Sequence, residues 1–226
     1  MIWGDAAFLL SKNKYNENSI IAEIYTENYG KKSGIIFGAS SKKIKNYLQV
    51  GNKIYVNYSS KDENSIGHFK VEIIKALTPL FFDDKKKLLC LTSAINLVKL
   101  LTAEAQKNSQ IFNLIEDLYI SMNREDWIKQ YILWELKFLK LIGYDLELKN
   151  LVNKQIENNN VKYYVKSNNQ IKFVPNFLVD DSQNIIDKEN LLNGLKIVGD
   201  YLEKSILKPN NINFPNSRID FINILK

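Results

Sequence analysis

The sequence predicts an α+β protein: an N-terminal OB-fold β-barrel followed by a mainly α-helical domain that carries a small irregular or hairpin insert. Three observations lead there. Roughly the first eighty residues hold short runs rich in aliphatic and β-branched side chains, separated by Asn- and Gly-containing turns. Pro79 closes that stretch, and the apolar period then changes from two to roughly 3.6. A polar segment around residues 150–186 interrupts the helical pattern before it resumes. The expected domains are therefore residues 1–80, the barrel, and residues 81–226, a helical domain with its insert around residues 150–186.

The strands come first. Ala6–Leu10, Ile20–Thr26, Gly34–Phe37, Lys53–Tyr58 and His68–Leu77 are the expected β runs. Tyr29-Gly30-Lys31-Lys32 reads as a tight turn between the second and third, with Gly30 free to take a positive φ. Gly51-Asn52 opens the fourth strand, and a turn at Asp62–Ser65 leads to the fifth. Five short strands in this length fit a closed OB-fold barrel, although a small SH3-type barrel would give a similar pattern.

The helices follow. Asp83-Asp84 serves the N-terminus of a helix whose Leu88, Leu91, Ile95, Val98 and Leu101 recur at helical spacing. A second is expected around Gln110–Met122. A third, Arg124–Ile142, is apolar through Trp127, Tyr131, Trp134, Phe138 and Leu141 and stops at Gly143. Asn150–Asn160 reads as a polar loop. Val161–Val165 and Gln170–Val174 suit a hairpin across Ser167-Asn168-Asn169. Leu191–Leu207 is a further helix, ended by Pro209, and a last one starts near Pro215.

Composition narrows the function. No run of about 18 apolar residues occurs, so no membrane span is expected. Met1-Ile2-Trp3-Gly4-Asp5 places an acid where a secretory leader needs basic residues, so a cytoplasmic location is expected. Cys90 is the single cysteine, which leaves neither an internal disulfide nor a cysteine-cluster metal site. His68 is the single histidine, no Gly-x-Ser-x-Gly elbow accompanies it, and a structural role is expected for it and for Cys90. The nine glycines form neither a phosphate-binding loop nor a dinucleotide fingerprint. Asp83-Asp84 and Asp180-Asp181 are the acidic pairs a metal-dependent nuclease would need. The first instead suits a helix N-terminus followed by Lys85-Lys86-Lys87, and the second a polar loop. A non-enzyme without metal or cofactor is the expectation.

Charge gives the positive signal. The net charge is +6, Arg124 and Arg218 are the only arginines, and 28 asparagines accompany the lysines, a bias that suits an AT-rich genome. The distribution is more telling. No acid occurs from Asn28 through Lys61, where Lys31, Lys32, Lys42, Lys43, Lys45, Lys53 and Lys61 are interleaved with Tyr29, Phe37, Tyr47, Tyr55 and Tyr58. A basic groove with aromatic faces is how single-stranded nucleic acid is held without sequence preference. The same chemistry suits RNA as well as DNA, and alternate aromatics must point into a barrel.

The residues also resemble a family. Trp3-Gly4-Asp5, Leu9-Leu10-Ser11, Glu17-Asn18-Ser19-Ile20-Ile21, Thr26, Gly30 and Gly34-Ile35-Ile36-Phe37-Gly38 are similar to the opening of RecO-type DNA repair proteins. Leu48-Gln49-Val50-Gly51, Trp134-Glu135-Leu136 with Leu141-Ile142-Gly143-Tyr144, and Asn193-Gly194-Leu195 with Gly199-Asp200-Tyr201-Leu202-Glu203 continue the likeness in order. There are departures. Tyr15-Asn16-Glu17 stands where the family has His-Gly-Glu, Tyr29 replaces a His before Gly30, and Ser40 and Ser41 occupy a segment richer in arginine elsewhere. Leu151 stands near the first position of a four-cysteine zinc cluster that many relatives carry, and no cysteine follows Cys90.

The resemblance implies a recombination mediator that binds single- and double-stranded DNA, anneals strands, and with RecR helps load RecA onto gaps covered by single-stranded-DNA-binding protein. Lys31, Lys32, Lys42, Lys43 and Lys45 match the family's basic loop and strand, and Lys53 joins them as an expected DNA contact. The acidic C-terminal tail of the single-stranded-DNA-binding protein needs an apolar groove rimmed by cations, for which Lys129, Lys137 and Lys140 are the candidates.

Overall fold

The computed structural model describes residues 1–62, 65–157, 160–167, 170–180 and 187–226. They form two compact units, Met1–Tyr119 with Pro215–Phe221, and Ile120–Phe214 with Ile222–Lys226.

The first unit is built on a closed barrel of β1 (Ile2–Lys14), β2 (Ser19–Thr26), β3 (Gly30–Phe37), β4 (Lys53–Ser59) and β5 (Gly67–Lys75), in the order β1-β2-β3-β5-β4. The parallel β3–β5 pairing at Gly34↔Gly67 and Ile35↔His68 and the antiparallel β1–β4 pairing close it. All five expected runs are strands. With α1 (Lys42–Tyr47) between β3 and β4, this is the OB-fold arrangement rather than the SH3-type alternative.

β1 serves two partners because it bends. Its register against β2 slips between Leu9 and Ser11, so Leu10 is an extra residue in the strand. Before the slip β1 pairs along β4 from Ile2 to Phe8, and after it Ser11–Lys14 continue on β2 alone. Ala7–Leu10 are all buried, which a strand covered on both faces requires. Ala7 and Leu9 belong to the barrel core, whereas the Phe8 ring meets Phe112 at 5.0 Å and Tyr119 at 6.1 Å.

Two glycines are fixed by this packing. Gly30 turns the β2–β3 hairpin at φ +66, and a Cβ there would stand 2.1 Å from the Gln106 carbonyl oxygen. A Cβ on Gly34 would lie 2.5 Å from the Phe69 ring, so the barrel holds Phe69 only because residue 34 has no side chain.

The unit that contains the barrel is larger than the barrel. The expected division at residue 80 follows the last barrel strand, and α2 (Lys85–Leu101), α3 (Ser109–Ser121) up to Tyr119, and Pro215–Phe221 belong to the same compact unit as the barrel. Asp84 caps α2 by accepting from the Lys87 amide at 3.1 Å, the helix-starting role expected of this acidic pair. Cys90, Leu91, Ala94, Ile95, Leu97 and Val98 line its buried face. The Tyr119 hydroxyl on α3 donates to Gly51 O at 2.6 Å, and burial pushes its pKa above the ordinary tyrosine value.

The second unit is organised around α4 (Trp127–Leu141), with Tyr131, Ile132, Trp134, Phe138 and Leu139 buried. Its partner is α6 (Lys188–Leu202), capped by Asp187 through the Asn190 amide at 2.7 Å. The helix expected over Leu191–Leu207 changes character within that span: a π-helical turn at Glu203–Leu207 and a 3-10 turn at Lys208–Asn210 follow α6. A short α5 (Leu148–Leu151) leads into a three-stranded sheet of β6 (Asn153–Glu157), β7 (Asn160–Ser167) and β8 (Gln170–Val174). The β7–β8 pairing fulfils the expected hairpin, whose Asn168-Asn169 turn lies outside the described residues, as does Asp181. The expected loop at Asn150–Asn160 is a correction. Asn153–Glu157 pairs with β7, which a polar run lacking apolar alternation does not announce.

Candidate nucleic-acid interface

The interleaving of lysine and aromatic residues in sequence becomes separation in space. Trp3 lies stacked between Tyr29, at 4.2 Å, and Tyr58, at 4.8 Å, at the start of β1. Three exposed lysines, Lys42, Lys43 and Lys45, lie at the other end of β1, on α1.

Lys42, Lys43 and Lys45 were expected on a strand or loop and instead ride on α1. The helix starts at Ser41, whose hydroxyl oxygen accepts from the Ile44 amide at 3.4 Å. Ile44 turns toward the barrel and packs against its core. The three lysines are thereby left exposed, and none has an ion-pair or hydrogen-bond partner among the described residues.

Two of the other expected contacts have partners within the barrel unit. The Lys53 ammonium is paired with the Glu116 carboxylate and stands 5.2 Å from the centroid of Phe112, so it fastens β4 to α3. The Lys31 ammonium donates to Lys99 O at 2.9 Å, on the last turn of α2, where a cation complements the helix dipole. Lys32 shares a face of β3 with buried Gly30, Gly34 and Ile36 and is itself half-buried.

The structure adds two residues that the sequence did not single out. Lys12 and Lys14, at the end of β1, meet Lys45 around a cleft of about 280 Å³, completed by Asn16, Glu17, Asn18, Ser19, Ile20, Ala39, Ser40 and Leu48. The Lys12 ammonium donates to Leu48 O at 2.5 Å. Its pKa lies below the ordinary lysine value, first because burial disfavours the charge and then because Lys45 repels it. These two lysines precede the acid-free segment and are separated from it by Glu17, Glu23 and Glu27. Their alternation at the end of a strand was the available signal.

Phe37 supplies an aromatic face near the same end. It is 57% exposed, pairs opposite Ser19 across the β2–β3 ladder, and lies 6.0 Å from the His68 ring. Tyr55 is partly exposed on β4, while Tyr58 is buried in the barrel core.

On α4 the three candidate cations differ. Lys129 is 7% exposed, three residues before buried Ile132 on the same helix. Lys140 is ion-paired with Asp145 at 2.7 Å, and Lys137 is exposed. Among the described residues no cluster of His, Cys, Asp and Glu that could hold a metal ion is found, and no helix is long and apolar enough to cross a membrane.

An OB-fold barrel with cations gathered at one end, followed by helices and a small sheet, defines an α+β protein of the oligonucleotide-binding architecture. Residues 1–77 match the family described as Recombination protein O N terminal, and residues 83–211 match Recombination protein O C terminal. The chain belongs to the RecO family of DNA repair and recombination proteins. It is 30% identical over 199 residues to the DNA repair protein RecO of Rickettsia canadensis, covering 82% of this chain and 81% of the relative. It is 23% identical over 236 residues to that of Rhodospirillum centenum, covering 98% and 94%. With that of Ehrlichia chaffeensis it shares 30% over 150 residues, covering 66% and 61%.

Proposed function

We propose that this chain is a non-catalytic recombination mediator of the cytoplasm and nucleoid, which holds single- and double-stranded DNA by the α1 end of its barrel. The observation that carries the reading is a set of exposed lysines that have no partner among the described residues: Lys42, Lys43 and Lys45 on α1, with Lys14 beside them. Lysine meets phosphate as a flexible point charge, so the binding is salt-sensitive and indifferent to sequence. Phe37 offers a face on which a base of a single strand stacks. Lys32 sits further along β3 as a secondary contact.

Family membership extends the reading to strand annealing and, with RecR, to helping RecA replace single-stranded-DNA-binding protein on gapped DNA. The acidic tail of that protein is met by the α4 surface through Lys137, with Lys140 recruited when its exposed pair with Asp145 exchanges.

Competition between single-stranded DNA and RNA of the same sequence tests the nucleic-acid class, with DNA expected to be favoured. A strong RNA preference would turn the protein into an RNA-binding one. Turnover of labelled DNA in magnesium or manganese would overturn the non-catalytic reading.

A further inference from the structure

We infer that the cleft between the β1–β2 turn and α1 is a phosphate-binding site, in which Lys12, Lys14 and Lys45 close on one phosphate group of a nucleic-acid strand. The inference rests on the proposed DNA-binding function and assigns a particular subsite to it, at the α1-covered end of the barrel.

The donors are in place. An ammonium has three N–H groups, and the hydrogen bond from Lys12 to Leu48 O, its only one among the described residues, leaves two for a ligand. Lys14 and Lys45 have no partner among the described residues. The charge of Lys45 adds to burial, the larger cause, in disfavouring the charge on Lys12. An oxyanion between them replaces that repulsion with two attractions and two charge-assisted hydrogen bonds.

The walls suit the same ligand. Ile20, Ala39 and Leu48 give an apolar lining that strengthens the field of the surrounding cations. The turn opposite α1 is held in shape: the Tyr15 and Asn16 amides both donate to Ser19 O, at 3.0 and 3.2 Å, and the Asn18 amide donates to Asn16 Oδ1 at 3.0 Å. The Ser40 hydroxyl donates to Asn18 Oδ1, which orients the Asn18 amide group and leaves its Nδ2 hydrogens unengaged among the described residues. A volume of about 280 Å³ accommodates a tetrahedral oxyanion with its sugar or its first waters. Glu17 is the one carboxylate among the lining residues, so three cations face one anion. A small free oxyanion would satisfy the cleft alone, but Lys42 and Lys43 continue the positive surface outward along α1, the direction in which a strand carries its next phosphates.

The test uses the full chain and inorganic phosphate as probe, with backbone amide signals of residues 12–20 and 39–48 followed by NMR during titration. These signals are expected to shift together and saturably. The double variant Lys12→Ala, Lys14→Ala is expected to weaken phosphate about tenfold, the loss of charge-assisted bonds, while the double variant Lys85→Ala, Lys86→Ala on α2 makes a matched charge change without effect. Because Lys12 also holds Leu48, Glu17→Gln at the exposed turn provides an independent arm, in which affinity for phosphate is expected to rise. For single-stranded DNA, the double variant is expected to lower the slope of log affinity against log salt by about 0.7 for the phosphate lost.

Oligonucleotides bearing 5′-phosphate or 5′-hydroxyl separate the two sources: a preference for the former assigns a strand end, and equal binding assigns an internal phosphodiester. No localised shift with phosphate, together with unchanged affinity in both the double variant and Glu17→Gln, overturns the site. If that happens while wild-type chain still binds DNA, the cleft is wrong and the function stands. If phosphate binds in the cleft but DNA does not bind, the function is wrong and the cleft stands.

Discussion

At the scale of the residue, the same side-chain type has two fates in this protein, and the neighbours decide which. Lys31 and Lys53 reach acceptors within the barrel unit and become fasteners, whereas Lys42, Lys43 and Lys14 have none among the described residues. Lys53→Ala is therefore expected to lower stability by about 1 kcal/mol in chemical denaturation and to leave the salt slope of DNA binding unchanged.

Glu23 is a fastener of the opposite sign, accepting from the Ser11 hydroxyl and pairing with Lys99 at 2.9 Å. Burial is the largest influence on its carboxyl and raises it. The hydrogen bonds from Ser11 and Lys99 and the charges of Lys99 and Lys31 together outweigh that effect and hold it below the ordinary value of 4.5. A carboxyl depressed by folding stabilises the native state above its unfolded pKa, and the contribution disappears as pH falls through the folded value. Wild-type stability should thus decline below about pH 4.5 by more than that of Glu23→Gln, as denaturation curves at stepped pH would record. Gly34→Ala forces a Cβ against Phe69 and is expected to cost about 1–3 kcal/mol.

At the scale of the element, the sequence was most readable where burial imposes a period. The five strands declare themselves because one face of each must be apolar, and the bulge at Leu10 is foreshadowed by the unbroken apolar run Ala6–Leu10. α1 is different. Six residues with two half-buried hydrophobic side chains, Ile44 and Tyr47, are too few to declare a period, and the element exists because it covers the barrel's end. β6 is invisible for a related reason, since its partner strand rather than an apolar face specifies it. Lys129 was legible in hindsight: Ile132, Glu135 and Leu139 form a buried row at helical spacing, and Lys129 begins it.

α1 is also where the binding prediction belongs. Replacing Lys42, Lys43 and Lys45 together by alanine removes three phosphate contacts and should reduce the salt slope for single-stranded DNA by about 2. Phe37→Ala should weaken single-stranded DNA by about 1–3 kcal/mol per stacked base and duplex far less, as fluorescence anisotropy at matched salt would show.

At the scale of the whole molecule, the expectation of an N-terminal barrel with helices after it corresponds to the architecture, and the boundary between compact units does not follow the boundary between strand and helix. The reason lies in β1. With Phe8 and Tyr119 in ring contact and Lys53 held by Glu116, the barrel buries one side of itself against α2 and α3, so these helices share its unit. Within the lysine-rich segment, folding separates the lysines that have partners from those that have none among the described residues, and brings Lys12 and Lys14 to the same end of the barrel. Partner surfaces on the second unit are the least legible part, because an exposed lysine such as Lys137 has the same sequence signature whether or not a partner covers it.

The central claim is that this chain is a DNA-binding recombination mediator. Its most direct test is the annealing rate of complementary strands coated with single-stranded-DNA-binding protein, measured with the wild-type chain and with Lys42, Lys43 and Lys45 replaced by alanine. The account predicts annealing well above the spontaneous rate with the wild-type chain, a large loss in the triple variant, and little annealing once the coating protein lacks its acidic tail. A wild-type rate no faster than the spontaneous one would contradict it.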